Sequence, residues 1–515
     1  RSITVSRRSF LKHGRKRPRR AHPPEGKKKM AGFGIRLNRI FRKNALPVKL
    51  SGAVHSTWAM AAPMLLVVLT VLLMQRVLGF STVSYVQREL FSCTLLYSFI
   101  FALLTAAPFN AVLSRYVSDA VYREADADIL PCYELGLLLN VTLSCLVGIP
   151  FCLWQHFAGG VPVRDVFSGF CGYIALVYAF YSMRYLSVCK EHRRIALFYV
   201  GGLLVAFLLS VVLCRRFGWA VTRSMLFALT VGFFVIATLE QALVRQYFTR
   251  NSNRYKPVLQ YFRRYWQLVP ASFLYTLGLY LHNFVFWTMA DRTVVAKSFV
   301  FAQPYDLASC IAMFTNLSAT VILAVQVENR FDEKYRAFSA QINGGRGRDI
   351  RQAQQRMFRT LAEGLENLVR VQFILSVVLF LACMALLPQL GLSGSVMQSY
   401  PLLAAGYFIV FVMYDALIFL HYLSDVTGVL AVSSCFCGVT GLASAAAAQL
   451  PAIWWGSGLV LGAFAGWSAA YARLRWIEKH MDAHTFCAGT LFPYGRGEKP
   501  SGRVFDRRGQ DTKAE

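Results

Sequence analysis

Acidic residues are scarce in this chain of 515 residues, which has 26 Asp and Glu against 55 Lys and Arg and a formal net charge of +29. Charged residues of both signs make up only 16% of the chain, whereas 56% is hydrophobic. A disordered protein has the opposite balance, and an ordinary soluble domain carries about 25% charged residues. The composition therefore excludes both classes and indicates a membrane protein.

Motifs for catalysis and cofactor binding are also missing. The sequence contains no Walker A, GxSxG, HExxH or GxGxxG motif. Its 12 cysteines form no CxxC pair, since even Cys435 and Cys437 have a single residue between them. The paired cysteine ligands of a structural zinc site are therefore missing. We therefore expect neither an enzyme nor a bound metal or other cofactor.

Long apolar runs, in contrast, are abundant. Twelve runs of roughly 20 residues are each long enough to cross a hydrocarbon core of about 30 Å. They lie near residues 56–75, 89–113, 133–154, 167–188, 195–213, 225–245, 268–289, 299–325, 368–387, 401–423, 426–450 and 453–472. We expect an all-α polytopic membrane protein with about 12 transmembrane helices in two six-helix bundles, a 6+6 arrangement.

The basic residues between these spans are distributed unevenly. On the side shared by both termini lie 47 of the 55 Lys and Arg residues, and the opposite side holds 8. The positive-inside rule then makes both termini cytoplasmic, in a bacterial inner membrane. The positive charge is explained by the retention of basic loops on the cytoplasmic face and by their attraction to anionic phospholipid headgroups. We expect no nucleic-acid binding, because no basic patch accompanies a soluble recognition fold.

The predicted domains follow from the spans. Residues 1–29 hold 12 basic residues, one acidic residue and no apolar run, so we expect a disordered tail upstream of a true start at Met30. Residues 30–50 fit an amphipathic segment at the membrane surface. The first bundle covers 51–247, the cytoplasmic linker 248–267, the second bundle 268–476 and the cytoplasmic tail 477–515.

The cytoplasmic loop 326–370 has room for structure of its own. Apolar residues recur at helical spacing from Ile350 to Leu368, with Asp349 available as N-cap, which predicts a helix running into the ninth span. This helix could lie flat on lipid or dock a cytoplasmic partner. The charged candidates for docking are Glu328, Lys334, Arg336, Arg351 and Arg359.

Ionisable and aromatic residues inside spans are the candidates for a substrate path. An ionisable group in a membrane is costly, so each one is a possible functional site, although a neutral histidine bonded between helices is commoner than a proton relay. Aromatic rings suit a carbohydrate path and suit ordinary packing or an interfacial belt equally well. The candidate path residues are Tyr275, Tyr280, His282, Trp287, Tyr305, Asp306 and Asp415.

Three segments resemble the PelG family, the inner-membrane component of Pel exopolysaccharide systems. They are MAGFG at 30–34, the aromatic run at 273–287, and PYD at 304–306 with its continuation to Val327 and Glu328. The resemblance covers residues 30 to about 486. The PelG family is related to the polysaccharide branch of the multidrug/oligosaccharidyl-lipid/polysaccharide exporter superfamily. One departure is His282-Asn283, where the family pattern has an acidic residue followed by Lys.

The resemblance implies export of an amino-sugar-rich exopolysaccharide of the Pel type, as found in biofilms. The polymer would be made by a cytoplasmic glycosyltransferase and passed to periplasmic and outer-membrane components. The implied partners are this glycosyltransferase and other inner-membrane Pel components. Three alternatives stay open: a flippase for lipid-linked oligosaccharide, which needs arginines in its cavity for a pyrophosphate; a cation-coupled drug antiporter; and a non-transporting scaffold that anchors and activates the synthase.

Overall fold

The computed structural model describes residues 65–123, 125–188, 192–289, 292–316, 328–342, 344–390, 392 and 394–481. The predictions for residues 1–50 and for nearly all of the C-terminal tail therefore lie outside the described residues. The described chain is almost entirely helical. Its fourteen α-helices are α1 Leu65–Val77, α2 Tyr85–Tyr122, α3 Ile129–Phe157, α4 Val163–Val188, α5 His192–Arg215, α6 Val221–Tyr247, α7 Lys256–Arg264, α8 Leu268–Phe286, α9 Gln303–Asn316, α10 Glu328–Ile342, α11 Gly347–Leu386, α12 Ser395–Tyr422, α13 Val426–Ala447 and α14 Ser457–Lys479.

Nine of the helices in the described residues are long and apolar enough to cross a membrane. They coincide with the predicted spans two to seven and nine to eleven, so the polytopic all-α class is confirmed. Helices α1, α9 and α14 fall on the predicted spans one, eight and twelve. The full number of spans and their division into six and six stay predictions.

The predicted eighth span, 299–325, is wrong at its first residues. Phe299–Phe301 is a β-strand, β2, that pairs antiparallel with β1, Thr293–Val295. The turn between them places Ala296 and Lys297 at φ 48° and 52°, the left-handed conformation that tight hairpins favour. Valine and phenylalanine suit a strand as well as a membrane helix, which is why hydropathy alone misplaced the boundary. We call β1 and β2 the ribbon.

The helix predicted in the loop 326–370 is confirmed as the first part of α11, which runs for 40 residues into the ninth span. The predicted N-cap is wrong. The helix begins at Gly347 with Arg346 in the cap position, so Asp349 lies in the first turn. A carboxylate there still interacts favourably with the positive end of the helix dipole.

Two separate hydrophobic cores divide the molecule. The first contains buried residues from Val67 to Val258, and the second from Ala271 to Met481. We call α1–α7 the first lobe and α8–α14 with the ribbon the second lobe. A third, small cluster joins the lobes, because Cys93, Ile100 and Leu104 of α2 pack there with Trp287 and apolar residues of the ribbon.

Small residues let helices approach closely within each lobe. In the first lobe, a Cβ atom on Gly232 of α6 would lie 2.7 Å from the carbonyl oxygen of Gly202 on α5. In the second lobe, a Cβ atom on Gly458 of α14 would lie 2.6 Å from the backbone nitrogen of Ser444 on α13. Such contacts are the usual means of packing helices in lipid, where no hydrophobic effect drives helices together.

Candidate substrate path between the lobes

Helices from both lobes meet along one surface. On the first-lobe side, α2 packs against α8, and Arg184 of α4 lies near Tyr414 of α12. Tyr414 in turn stacks on Tyr275 of α8, with ring centroids 5.4 Å apart. We call this contact region the interlobe surface. It has Arg115 and Arg184 on the first-lobe side and Tyr275, Tyr414 and His421 on the second-lobe side. Its two ends are the ribbon end and the linker end, the latter next to α7.

A row of side chains along α12 shows where this surface is accessible. Tyr407, Tyr414 and His421 recur every seven residues, so they share a face about 10 Å apart along the helix. Tyr407 is 2% exposed, Tyr414 is half-buried and His421 is exposed. On α8, His282 is fully buried and Tyr275, nearer the linker, is half-buried. These side chains are therefore buried near the ribbon end and more exposed toward the linker end.

His282 lies at the centre of a buried polar network. Its Nδ1 atom is 2.9 Å from the hydroxyl oxygen of Tyr305 on α9, and its Nε2 atom is 3.3 Å from the hydroxyl oxygen of Tyr407 on α12. A neutral imidazole has one ring nitrogen that donates and one that accepts. One tyrosine hydroxyl can accept from the first and the other can donate to the second, so both ring nitrogens have hydrogen-bond partners here. The ring thereby joins three helices, as expected for a histidine bonded between helices.

The carboxylate of Asp306 anchors the ribbon side of the same network. It accepts hydrogen bonds from Asn283 Nδ2 at 2.7 Å, from Trp287 Nε1 at 3.0 Å and from the backbone N–H of Ala302 at 3.0 Å. These bonds hold α8, the end of the ribbon and α9 together. Asp306 needs all three donors because a carboxylate away from bulk water is costly unless it is hydrogen-bonded.

Ser309 connects the two parts of the network. Its hydroxyl lies 2.9 Å from the Tyr407 hydroxyl and donates to Asn283 Oδ1 at 3.4 Å. The structure thus brings four predicted residues together, namely His282, Trp287, Tyr305 and Asp306. Sequence analysis missed Ser309 and Tyr407 and noted Asn283 only as a departure from a family pattern. The seven-residue repeat through Tyr407 was the available signal.

A seal closes the ribbon end between the lobes. The hydroxyl of Tyr97 on α2 donates to the carbonyl oxygen of Val300 at 2.7 Å and accepts from the backbone N–H of Val300 at 3.0 Å. The Tyr97 ring stacks on Trp287, with centroids 4.9 Å apart, and meets Phe299 edge-on. Because Trp287 also bonds Asp306, the first lobe is connected to the polar network through this ring. We call Tyr97, Trp287, Phe299 and Val300 the ribbon-end seal.

The other three predicted path residues lie elsewhere. Tyr275 belongs to the accessible part of the interlobe surface, and Tyr280 packs against the small cluster that joins the lobes. Asp415 is fully buried within the second lobe, and neither carboxylate oxygen has a hydrogen-bond partner in the described part of the chain. Glu240 of the first lobe is buried in the same way. The structure does not bring Asp415 into the polar network.

The predicted docking residues lie on a helical hairpin formed by α10 and α11. Phe331, Phe338, Met357 and Leu361 of these helices are buried in the second core, so the apolar face of α11 is covered by the protein itself rather than by lipid. Arg336, Arg351 and Arg359 are exposed and Lys334 is half-buried. Glu328 begins α10, and its side chain lies outside the described residues.

The chain is similar to known transporters. Residues 30–486 match the model of the PelG family, described as "Putative exopolysaccharide Exporter (EPS-E)". No curated protein matches the chain in sequence.

Similarity to solved structures is confined to the fold. A transporter of the MOP superfamily from Pyrococcus furiosus superposes with a TM-score of 0.55 at 13% identity, covering 88% of this chain and 99% of that one. A multidrug resistance transporter of the MATE family in its outward-facing conformation gives 0.52 at 12% identity, with 88% and 99% covered. A MATE transporter of Vibrio cholerae in the bent form gives 0.50 at 13%, with 86% and 98% covered.

Proposed function

Because the chain belongs to the PelG family of exopolysaccharide exporters, we propose that it carries a Pel-type, amino-sugar-rich polymer across the bacterial inner membrane along the interlobe surface. A cytoplasmic glycosyltransferase makes the polymer, and other inner-membrane Pel components receive or assist it. Both termini are cytoplasmic in this proposal, so the linker end faces the cytoplasm and the ribbon end faces the opposite side.

The observation that carries the proposal is the gradient of accessibility along the interlobe surface. His421 at the linker end is exposed and Tyr275 and Tyr414 are half-buried, whereas His282 and Tyr407 are buried. Aromatic rings offer apolar faces to the C–H surfaces of sugars, and tyrosine hydroxyls offer polar contacts. A glycan chain entering from the linker end would meet these side chains in sequence before it reached the seal.

Opening the ribbon end requires breaking contacts between lobes but none within the polar network. The Tyr97 hydrogen bonds to Val300 and its stacking on Trp287 join α2 to the second lobe, so they must be lost when the lobes separate. The bonds of His282 and Asp306 all lie inside the second lobe and can persist. The network then acts as a preorganised wall, and the seal is the part that moves.

A flippase for lipid-linked oligosaccharide is the second candidate, and one observation favours it. Arg184 lies near the end of a membrane-spanning helix, is exposed, and has no carboxylate within ion-pair distance in the described part of the chain. A pyrophosphate group is bound well by the paired N–H donors of a guanidinium. An unpaired arginine at this position suits such a substrate.

Docking of the glycosyltransferase is assigned in this proposal to the α10–α11 hairpin. The hairpin is anchored by its buried apolar face and leaves Lys334, Arg336, Arg351 and Arg359 on its polar side. Glu328 at the start of α10 completes the candidate surface. An acidic face on the partner would complement this charge and would speed association.

Reconstitution separates these functions. The full chain and its glycosyltransferase are placed in vesicles, nucleotide sugar is supplied outside, and polymer protected in the lumen is measured. Protected polymer that depends on this chain supports export. Polymer that is made but never protected favours the scaffold, and protection without this chain removes the transport proposal. Movement of an added lipid-linked oligosaccharide instead of polymer supports the flippase.

A further inference from the structure

Three distant parts of the chain meet at the linker end of the interlobe surface. Arg115 comes from α2 of the first lobe, and Arg264 and Tyr265 come from the end of α7 in the linker. His421 and Ser424 come from the end of α12 in the second lobe. The cluster therefore lies at the junction of both lobes and the connection between them.

Two guanidinium groups share one aromatic ring in this cluster. The Arg115 guanidinium carbon lies 4.2 Å from the centroid of the Tyr265 ring, and the Arg264 guanidinium carbon lies 5.5 Å from it. The two cations are therefore less than about 10 Å apart. Ring contacts of this kind hold a guanidinium in place without neutralising its charge.

Arg115 keeps hydrogen-bonding capacity that the protein does not use. Its Nη2 atom donates to Ser424 Oγ at 3.0 Å, while its Nε–H is buried and has no hydrogen-bond partner among the described residues. A buried, unused donor on a cation is expensive, which is a reason for such a group to have a ligand. Arg264 is exposed and adds a second set of donors.

His421 faces the same space. It is exposed, and its backbone carbonyl oxygen accepts at 3.0 Å from the N–H of Ser424, the residue whose hydroxyl Arg115 bonds. Its Nδ1 atom is 2.8 Å from the carbonyl oxygen of Leu417, so Nδ1 carries the proton that this bond needs. The Nε2 atom takes no part in that bond and has no hydrogen-bond partner among the described residues.

The carboxylates closest in sequence to this cluster are already engaged. Asp425 is bonded by Arg473 Nε at 2.5 Å, and Asp119 accepts from the Tyr261 hydroxyl at 2.9 Å. Neither Arg115 nor Arg264 has a carboxylate within ion-pair distance in the part of the chain that the structure describes. The positive charges of Arg115 and Arg264 are therefore not paired with a carboxylate among the described residues.

We propose that Arg115, Arg264 and His421 form a binding site for a phosphate or diphosphate ester at the linker end. Two guanidinium groups match the charge and the several oxygens of such a dianion, and a nearby histidine adds a further donor or acceptor. The position at the end of the membrane-spanning helices places the site at the level of lipid headgroups. Its assignment to a substrate rests on the proposed function, but binding itself does not.

Binding at this site is linked to the contact between lobes. The hydrogen bond from Arg115 to Ser424 joins the first lobe to the second. An anion that draws the guanidinium toward itself competes with Ser424 for the same donors. A ligand that binds better to the separated arrangement shifts the population toward an open linker end.

The test measures binding of inorganic pyrophosphate to the purified full chain in detergent by calorimetric titration. We expect Arg115→Gln and Arg264→Gln to raise the dissociation constant at least about tenfold, since each removes a charged donor set. Arg123→Gln is the matched control, because Arg123 is the C-cap of the same helix and also contacts a linker tyrosine, Tyr261, at 3.5 Å. We expect it to leave the constant unchanged. Arg264 is exposed, so its variant keeps the test valid if Arg115→Gln does not fold.

Competition then identifies the source of the phosphate. Displacement of pyrophosphate by phosphatidylglycerol vesicles supports a lipid headgroup, and displacement by a short-chain polyprenyl diphosphate sugar supports a lipid-linked substrate. Absence of binding to the wild-type protein, or equal weakening by Arg123→Gln, overturns the inference. Because the titration needs no glycosyltransferase, its failure leaves the export result unaffected. A failure of export likewise leaves the titration interpretable.

Discussion

Each lobe contains a buried polar cluster, and the two clusters differ in charge and reach. In the first lobe, the Tyr133 hydroxyl lies 2.7 Å from Ser182 Oγ, and the Tyr181 hydroxyl donates to the Tyr133 carbonyl oxygen at 3.0 Å. These residues come from α3 and α4, and none carries a charge. In the second lobe, the network around His282 and Asp306 spans α8, α9, α12 and the end of the ribbon.

Only the cluster of the second lobe is connected to the interface between the lobes, so only that cluster can respond to movement between them. The tyrosine cluster of the first lobe is enclosed within its own core, so it fixes α3 against α4 whatever the second lobe does. The network of the second lobe reaches Trp287, which stacks on Tyr97 across the interface. We therefore expect the first cluster to affect stability alone and the second to affect stability and export together.

The largest effect is expected from Asp306→Ala. The change leaves the donors of Asn283, Trp287 and Ala302 unpaired, and losing a charged hydrogen-bond partner of this kind costs about 3 kcal/mol. We also expect protected polymer in the vesicle assay to fall at least about tenfold, because the wall beside the seal loses its anchor. Thermal unfolding and the vesicle assay measure the two effects.

Asp165→Ala in the first lobe is the control for that change. Asp165 binds Arg223 Nε at 2.9 Å, but the Arg223 side chain is 37% exposed. An ion pair open to solvent contributes less than about 1 kcal/mol, so stability and export should change little. Equal loss of export in both variants would contradict a special role for the second-lobe network.

A smaller effect, on stability only, is expected from Asp425→Ala. The Asp425 side chain is 2% exposed and is bonded by Arg473, so the variant leaves that guanidinium without its partner and costs about 2 kcal/mol. Export per folded molecule should be unchanged, because the Asp425 carboxylate bonds residues of the second lobe and makes no hydrogen bond to a described residue of the first. Unfolding in detergent and protein-normalised export are the measurements.

The same residue gives a pH dependence. Burial raises the pKa of Asp425, but the hydrogen bonds and charge of Arg473 and the N–H of Gly428 outweigh it, so the pKa lies below its ordinary value. The stabilisation is present above the unfolded pKa of about 3.9 and is lost as the pH falls through the folded pKa. Wild-type stability should drop below about pH 4 more steeply than that of Asp425→Ala. Parallel curves would show that the pair has no such role.

A matched pair of tyrosine variants tests the comparison most directly. Tyr407→Phe removes bonds to His282 and Ser309, and Tyr181→Phe removes bonds to the Tyr133 carbonyl and to Tyr185. Each should cost about 1 kcal/mol of stability, since each deletes one buried hydroxyl. Only Tyr407→Phe should lower export, by about threefold or more. If Tyr181→Phe lowers export as much, the two clusters do not differ in function.

The smallest effect on stability is expected from Arg359→Gln, in the α10–α11 hairpin that only the second lobe possesses. Arg359 is 82% exposed and pairs with Glu363 on the same helix at 2.8 Å. The unfolding temperature should not change measurably, because such surface pairs contribute little. Co-purification with the glycosyltransferase should decrease. Asp165→Ala, on the other lobe, should leave co-purification intact.

Much of the candidate site was predictable because polar residues stand out in an apolar span. His282 and Asp306 were predicted as path residues because they are ionisable, Trp287 because it is aromatic, and Tyr305 together with Asp306. The structure places all four in one network. Asp415 stood out equally and lies elsewhere, since a charge in a helix says nothing about which neighbour it faces. Ser309 and Tyr407 were missed because small hydroxyl and tyrosine side chains are common in membrane helices.

The sequence alone determined that this is a membrane protein and where most of its spans lie. A helix in lipid must satisfy its backbone internally and must be apolar over about 20 residues, and both requirements are local. The ribbon was mispredicted as part of a span because its residues suit a strand as well as a helix.

Which polar groups meet depends on the tertiary structure. The convergence of Arg115, Arg264 and His421, and the partners of His282, depend on how each helix is rotated against helices distant in sequence. No periodicity within one helix specifies that rotation, because it is fixed by the packing of all of them together.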